Sequence, residues 1–198
     1  LNFFIFFIIT YLEVNMSKKA IILLVTGFEE IETVTVVDIL RRAGIEIVSA
    51  GIDSMNITGS HGITISADKK LNDIKPEADA VIIPGGMPGA LHLHNSSEVN
   101  DFIKDMNSRG ALIAGICAAP SVVMAPMGLL DNKTATCYPG DQIDFAKSTK
   151  YKNKAVVVDG NIITSQGPAT AMEFAFAIVE KLIGKDAVKK LKRQTLAD

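Results

Sequence analysis

From Met16 onward, short apolar runs alternate with amphipathic stretches, a pattern that predicts βα units wound around a mostly parallel sheet. Ala20–Val25 (AIILLV) is an unbroken apolar run of the buried-strand kind, stopped by Thr26-Gly27. Glu29–Ala43 carries Ile31, Val34, Val37, Ile39 and Leu40 at helical spacing and halts at Gly44, a helix-ending residue. Ile45–Ala50 predicts the next strand, and Met55–Ser66, interrupted by Gly59 and Gly62, a hairpin excursion. Ala78–Ile83 reads as a further buried strand that ends in Pro84-Gly85-Gly86. Ser97–Asn107 predicts a helix capped by Ser96 or Ser97, Ala111–Ile116 a central strand, and Ala118–Ala125 a helical segment. Lys154–Val158 and Asn161–Thr164 flank Asp159-Gly160, a two-residue hairpin turn. Ala169–Ile183 is the longest predicted helix, and a short final helix follows Gly184.

Composition narrows the class. With 48% apolar residues and no linker, repeat or low-complexity stretch, residues 16–198 are read as one soluble α/β domain. A net charge of -2 gives no electrostatic footprint for nucleic acid or an anionic membrane, so a small molecule or another protein is the expected partner. Two cysteines, Cys117 and Cys137, are too few for a disulfide framework and fit a reducing cytoplasm. No Cys/His group has zinc-ligand spacing, and no metal or cofactor is expected.

Residues 1–15 stand apart. Leu1–Tyr11 (LNFFIFFIITY) is apolar but too short to span a bilayer, and lacks the basic start and small-residue cleavage site of a secretory signal. Leu12-Glu13-Val14-Asn15-Met16 can be encoded with GGAGG, a ribosome-binding sequence, ahead of the Met16 codon. Translation is therefore expected to begin at Met16, with residues 1–15 being upstream sequence.

In open α/β sheets ligands bind beyond the carboxyl ends of the strands. Those ends carry Thr26-Gly27 with Glu29, Glu30 and Glu32 after it, then Gly85-Gly86, then Cys117. Cys117 directly follows the strand ALIAGI and precedes Ala118-Ala119-Pro120, a layout like the nucleophile elbow, in which a sharp turn exposes the side chain. A sulfur at a helix N-terminus is expected to have a lowered pKa, and Gly115 and Ala118 leave room for substrate and for N–H donors to an oxyanion. A small buried core thiol is the competing reading of Cys117. Glu32, on the early turns of the first helix, is expected to be buried, protonated and able to hydrogen-bond to sulfur. Glu29 and Glu30 are read as ordinary surface charge, and Cys137 as a structural thiol. His61, His92 and His94 are read as surface or loop residues, the last two on the loop after Gly86. No GxGxxG or P-loop pattern is present, which disfavours nucleotide binding.

Several segments in order carry a family resemblance: Gly27-Phe28-Glu29-Glu30-Ile31-Glu32-Thr33, Asp38-Ile39-Leu40-Arg41-Arg42-Ala43-Gly44, Pro84-Gly85-Gly86, Ala114-Gly115-Ile116-Cys117-Ala118-Ala119-Pro120 and Thr164-Ser165-Gln166-Gly167-Pro168-Ala169-Thr170. From Met16 to about Leu191 the chain resembles the ThiJ/PfpI family, in its DJ-one-like branch of parkinsonism-associated deglycases. The resemblance implies a flavodoxin-like three-layer sandwich, related to the class I glutamine amidotransferases, and a homodimer with the pocket near its interface. It implies Cys117 as the reactive cysteine, Glu32 as its protonated partner, and N–H groups of Gly86 and Ala118, beside Gly85, around an anion pocket. Arg42 matches an arginine lining this region, and His61 falls where some members carry arginine. Tyr138 stands where the branch's best-known member has a histidine, and Ala118 where protease-like members have one. A Cys-His dyad is thus absent at both positions, which counts against peptidase activity.

The chemistry implied is glutathione-independent conversion of methylglyoxal or glyoxal, or removal of early glycation adducts, with a small aldehyde as substrate. A redox sensor or stress chaperone built on the same cysteine is the alternative, and thiazole-phosphate biosynthesis a third, carried by a family label alone. For natively expressed protein, intact-mass measurement is expected to give a chain starting at Met16; a species that includes residues 1–15 would refute the start-site reading.

Overall fold

The structure, a computed structural model, describes residues 17–197; the start-site question lies outside them. Its centre is a seven-stranded sheet built from β1 (Lys19–Leu24), β2 (Glu46–Gly51), β5 (Lys69–Lys70), β6 (Ala80–Ile83), β7 (Leu112–Ile116), β10 (Val156–Asp159) and β11 (Ile162–Ser165). Their order is β10-β11-β7-β6-β1-β2-β5, parallel throughout except for the β10–β11 hairpin. β3 (Asn56–Thr58) and β4 (Thr64–Ser66) form a separate antiparallel hairpin, and β8 (Thr134–Ala135) pairs with β9 (Lys150–Tyr151).

The helices are α1 (Glu30–Arg42), α2 (Gly89–Asn95), α3 (Ser97–Ser108), α4 (Ala171–Ile183) and α5 (Lys185–Thr195). Alternation along the strands explains why they cover both faces. In β1, Ile22 and Leu24 point into a core shared with Val36, Ile39 and Leu40 of α1 and Phe174 and Ile178 of α4. Ile21 and Leu23 point the other way, toward Leu93 of α2 and Val99, Ile103 and Met106 of α3. A strand buried on both faces must be apolar at every position, which is why AIILLV carries no polar residue. The result is the flavodoxin-like three-layer arrangement expected from the sequence.

Differences from the predicted elements are local. Ser96 caps α3 by accepting the Val99 N–H at 3.3 Å. His92 and His94 lie on α2, not on a loop. The expected helix over Ala118–Ala125 is a single π-helical segment, Pro120–Met124, with proline at its first position. Cys117 therefore does not sit at an α-helix terminus, and the donors around its sulfur are individual backbone N–H groups. Among the described residues no helix is long and apolar enough to cross a membrane.

Candidate active site

The neighbouring strands β7, β6 and β1 end at one rim and deliver the three parts of the site. Cys117 immediately follows β7 and adopts φ 62, the left-handed conformation that a non-glycine residue holds only when its surroundings enforce it. They do so through the main chain: the Cys117 N–H donates to the Ser165 carbonyl at 3.0 Å, and its carbonyl accepts the Tyr138 N–H at 2.9 Å. The side chain is thereby turned off the strand and stays half-buried, packed against both core layers.

Gly85 and Gly86 at the end of β6 are dictated by close approach. A Cβ on Gly85 would lie 2.5 Å from the Cys117 Cβ and 2.9 Å from Glu32 Oε2, so no larger residue lets thiol and carboxyl meet. Gly86 has φ +90, and a Cβ there would collide with the Glu29 nitrogen and the Gly27 carbonyl at 2.5 Å. Three backbone donors act here: the Gly85 N–H donates to Glu32 Oε2 at 2.8 Å, and the N–H groups of Gly86 and Ala118 lie close enough to the Cys117 sulfur to favour its charged form.

Glu32 comes from the first turn of α1 and is 0% exposed. Its Oε1 is buried with no hydrogen-bond partner among the described residues, an expensive position for a bare carboxylate oxygen but a suitable one for a protonated carboxyl. Burial, with the nearby Glu29 charge, raises Glu32 from its ordinary 4.5 to about 7, against the opposing Gly85 and Cys117 hydrogen bonds. Burial and an ionised Glu32 push the Cys117 thiol up to about 12, against the pull of the Gly86 and Ala118 N–H groups. The simple lowering of the thiol expected from sequence is thus overruled, first by burial and further while Glu32 carries a charge. The two groups cannot both ionise, and the pair shares its protons. When the carboxyl keeps the proton, its repulsion vanishes and its O–H joins the two N–H donors at sulfur. Sulfur then has three donors, whereas an ionised Glu32 has two, the Gly85 N–H and the Cys117 S–H, so hydrogen bonding favours the charge on sulfur.

The remaining candidates separate. Tyr138 contributes its N–H to Cys117, and its half-exposed ring lies beside Gly167, where a Cβ would be 3.6 Å from it. Arg42, at the far end of α1, pairs with Asp38 at 2.7 Å, and ten residues of helix put it about 15 Å along the axis from Glu32, so within one chain it does not line this site. His61 lies in the β3–β4 loop and pairs with Glu30 through Nδ1 at 2.9 Å. Cys137 is fully buried, and His92 Nδ1 lies 2.9 Å from the Thr26 carbonyl.

Glu29 and Glu30 are where the surface-charge reading fails. Both are buried, at 6% and 5% exposure. Glu29 is the α1 N-cap and accepts the Glu32 N–H at 2.7 Å, which fixes the turn carrying Glu32. Glu30 accepts the His61 N–H at 2.7 Å and so binds the β3–β4 loop to α1; burial alone would raise its pKa, yet its hydrogen bonds from His61 and Ile63 hold it at about 2. The available signal was Glu29 three residues before Glu32 at a helix start, the spacing of a side-chain cap.

The model of the DJ-1/PfpI family matches residues 18–181. The chain is 40% identical over 184 residues to protein dj-1beta of Drosophila melanogaster, covering 91% of this chain and 98% of that protein. It is 35% identical over 177 residues to the glutathione-independent glyoxalase DJR-1.2 of Caenorhabditis elegans, covering 88% and 94%. The oxidized DJ-1 of Toxoplasma gondii superimposes with a TM-score of 0.87 at 37% identity, over 91% of this chain and 98% of that one.

The Glu32 shift carries a stability signature. A carboxyl raised in the folded state stabilises most below its unfolded pKa, and that stability is lost as pH rises through the folded value. With Cys117→Ser as background, so that only the carboxyl titrates, stability is expected to fall between pH 4.5 and about 7 by about 3 kcal/mol relative to Cys117→Ser/Glu32→Gln. Parallel denaturation curves across this range would contradict the assigned burial effect.

Proposed function

The chain belongs to the DJ-1/PfpI family, and from that premise we propose that it is a cysteine-dependent, cofactor-independent enzyme of the glyoxalase or deglycase type. Its substrates are small α-oxoaldehydes such as methylglyoxal and glyoxal, or their early adducts with protein. The observation that carries this reading is the junction of Cys117, held at positive φ, with the buried Glu32 carboxyl and the Gly86 and Ala118 N–H groups. The relative named as a glutathione-independent glyoxalase supports it.

The steps use these groups alone. Cys117 sulfur bonds to the aldehyde carbon, and the Glu32 proton passes to the carbonyl oxygen as its π bond breaks, giving a hemithioacetal. The Gly86 and Ala118 N–H groups stabilise the charge that builds on that oxygen. Glu32, now ionised, takes the proton from the carbon bound to sulfur to give an enediolate, the hydroxyl proton on that carbon crosses to the neighbouring oxygen, and Glu32 returns its proton to the adjacent carbon, leaving a thioester of lactate. Water cleaves the thioester, regenerates Cys117 and releases lactate. The sum is methylglyoxal plus water to lactate, with no outside oxidant or reductant. Glu32 has to serve as both acid and base, because Tyr138 supplies no imidazole, and turnover is expected to be slow.

A homodimer fits the same reading. Ile31 and Val34 are 58% and 52% exposed on α1, an apolar pair that a second copy would cover. A second reading rests on the unpartnered Glu32 Oε1: a peroxide would oxidise Cys117 to a sulfinate, to which the Glu32 O–H could donate.

The test is methylglyoxal consumption with stoichiometric lactate release by metal-free protein. Cys117→Ser is expected to abolish it and Glu32→Gln to slow it about 100-fold or more. Undiminished activity of Cys117→Ser refutes the mechanism. Wild-type protein that makes no lactate yet gains two oxygens at Cys117 under mild peroxide favours the second reading.

A further inference from the structure

The steps at Cys117 use no atom of the Tyr138 side chain, yet the backbone places that ring at the cysteine. The Tyr138 N–H donates to the Cys117 carbonyl at 2.9 Å, so the two residues lie on adjacent segments. On its other side Cys117 is held by the Ser165 carbonyl at 3.0 Å, and the Tyr138 ring meets that same segment two residues later. A Cβ on Gly167 would lie 3.6 Å from the ring Cδ2 and 4.0 Å from Cε2, ordinary van der Waals distances. The ring thus extends from one backbone that flanks Cys117 to the other. Gly167 is buried while Tyr138 is 50% exposed, so the ring covers the glycine and leaves the rest of its surface open. Thr136 and Cys137 before it are fully buried and anchor the segment, and Pro139 after it disfavours helical backbone at Tyr138.

We propose that Tyr138 is a specificity-determining residue: its ring forms an apolar wall beside Cys117 that selects α-oxoaldehydes bearing an aryl substituent over methylglyoxal. This role rests on the reading of Cys117 as the atom that bonds to the substrate carbonyl. Methylglyoxal offers such a wall a single methyl group. An aryl substituent offers a larger apolar area to bury and a ring that can meet Tyr138 edge-on or in an offset stack. Attack at the aldehyde carbon leaves that substituent one carbon away from the sulfur-bound atom, close enough to be felt by a side chain whose own backbone touches Cys117. A histidine at this position would present a smaller, titratable ring in place of the apolar one.

Alkylation of Cys117 by iodoacetanilide and by iodoacetamide, followed by mass spectrometry, reads the wall without any turnover. In both reagents sulfur displaces iodide from the carbon beside a carbonyl, and they differ by the phenyl group, so changes in Cys117 ionisation cancel in the ratio of their rates. Relative to the same ratio for glutathione, wild type is expected to favour iodoacetanilide about tenfold, Tyr138→Phe to keep that preference and Tyr138→Ala to lose it. In turnover, the kcat/KM ratio of phenylglyoxal to methylglyoxal is expected to fall by a similar factor in Tyr138→Ala. A wild-type alkylation ratio equal to that of glutathione, a preference that Tyr138→Ala keeps, or one that Tyr138→Phe loses overturns the wall. Wild-type protein that turns over neither aldehyde refutes the glyoxalase reading, and the alkylation ratio still decides the role of Tyr138.

Discussion

One buried carboxyl constrains the rest of this site. Glu32 is wholly shielded from water, one of its oxygens has a single backbone donor and the other has none. Such a group is stable only if it keeps its proton or shares one with a neighbour, and the neighbour is a thiol. The special geometry nearby follows from that. Gly85 has no side chain because thiol and carboxyl need its space, Gly86 turns its N–H toward sulfur through a left-handed conformation, and Cys117 accepts an unfavourable φ to face them.

The sheet makes this arrangement rigid. β7, β6 and β1 are adjacent and parallel, so their carboxyl ends are fixed relative to one another by backbone ladders rather than by side-chain packing. Glu29 adds a second anchor by capping the turn that presents Glu32, and the Ser165 and Tyr138 main chains hold Cys117 from two sides. Tyr138 thus contributes its backbone where the branch's best-known member places a histidine side chain, and Glu32 is the carboxyl beside the sulfur.

Much of this was legible in the chain. AIILLV, the apolar run before Cys117 and the Gly85-Gly86 break mark three buried strands and their ends by burial pattern alone, and those ends contain the chemistry. What could not be read was tertiary. Glu29 and Glu30 look like surface charge in a helical repeat because the cover over Glu30 comes from the β3–β4 loop, about thirty residues downstream, through the His61 and Ile63 N–H groups. The ionisation of Cys117 was equally out of reach: the sequence suggests a helix N-terminus, but Pro120 opens a π-helical turn, and the balance is set by a carboxyl from another element. Arg42 has the right family position, yet its helix carries it away from the thiol of its own chain.

The account stands on the direction in which Glu32 acts on Cys117. The direct measurement is the pH dependence of Cys117 alkylation by iodoacetamide, read by mass spectrometry, in wild type and in Glu32→Leu. If the protonated carboxyl donates to sulfur, its removal shifts the ionisation midpoint of Cys117 upward. A midpoint that moves downward in Glu32→Leu would show that Glu32 acts there as a repelling carboxylate, and would contradict the shared-proton pair.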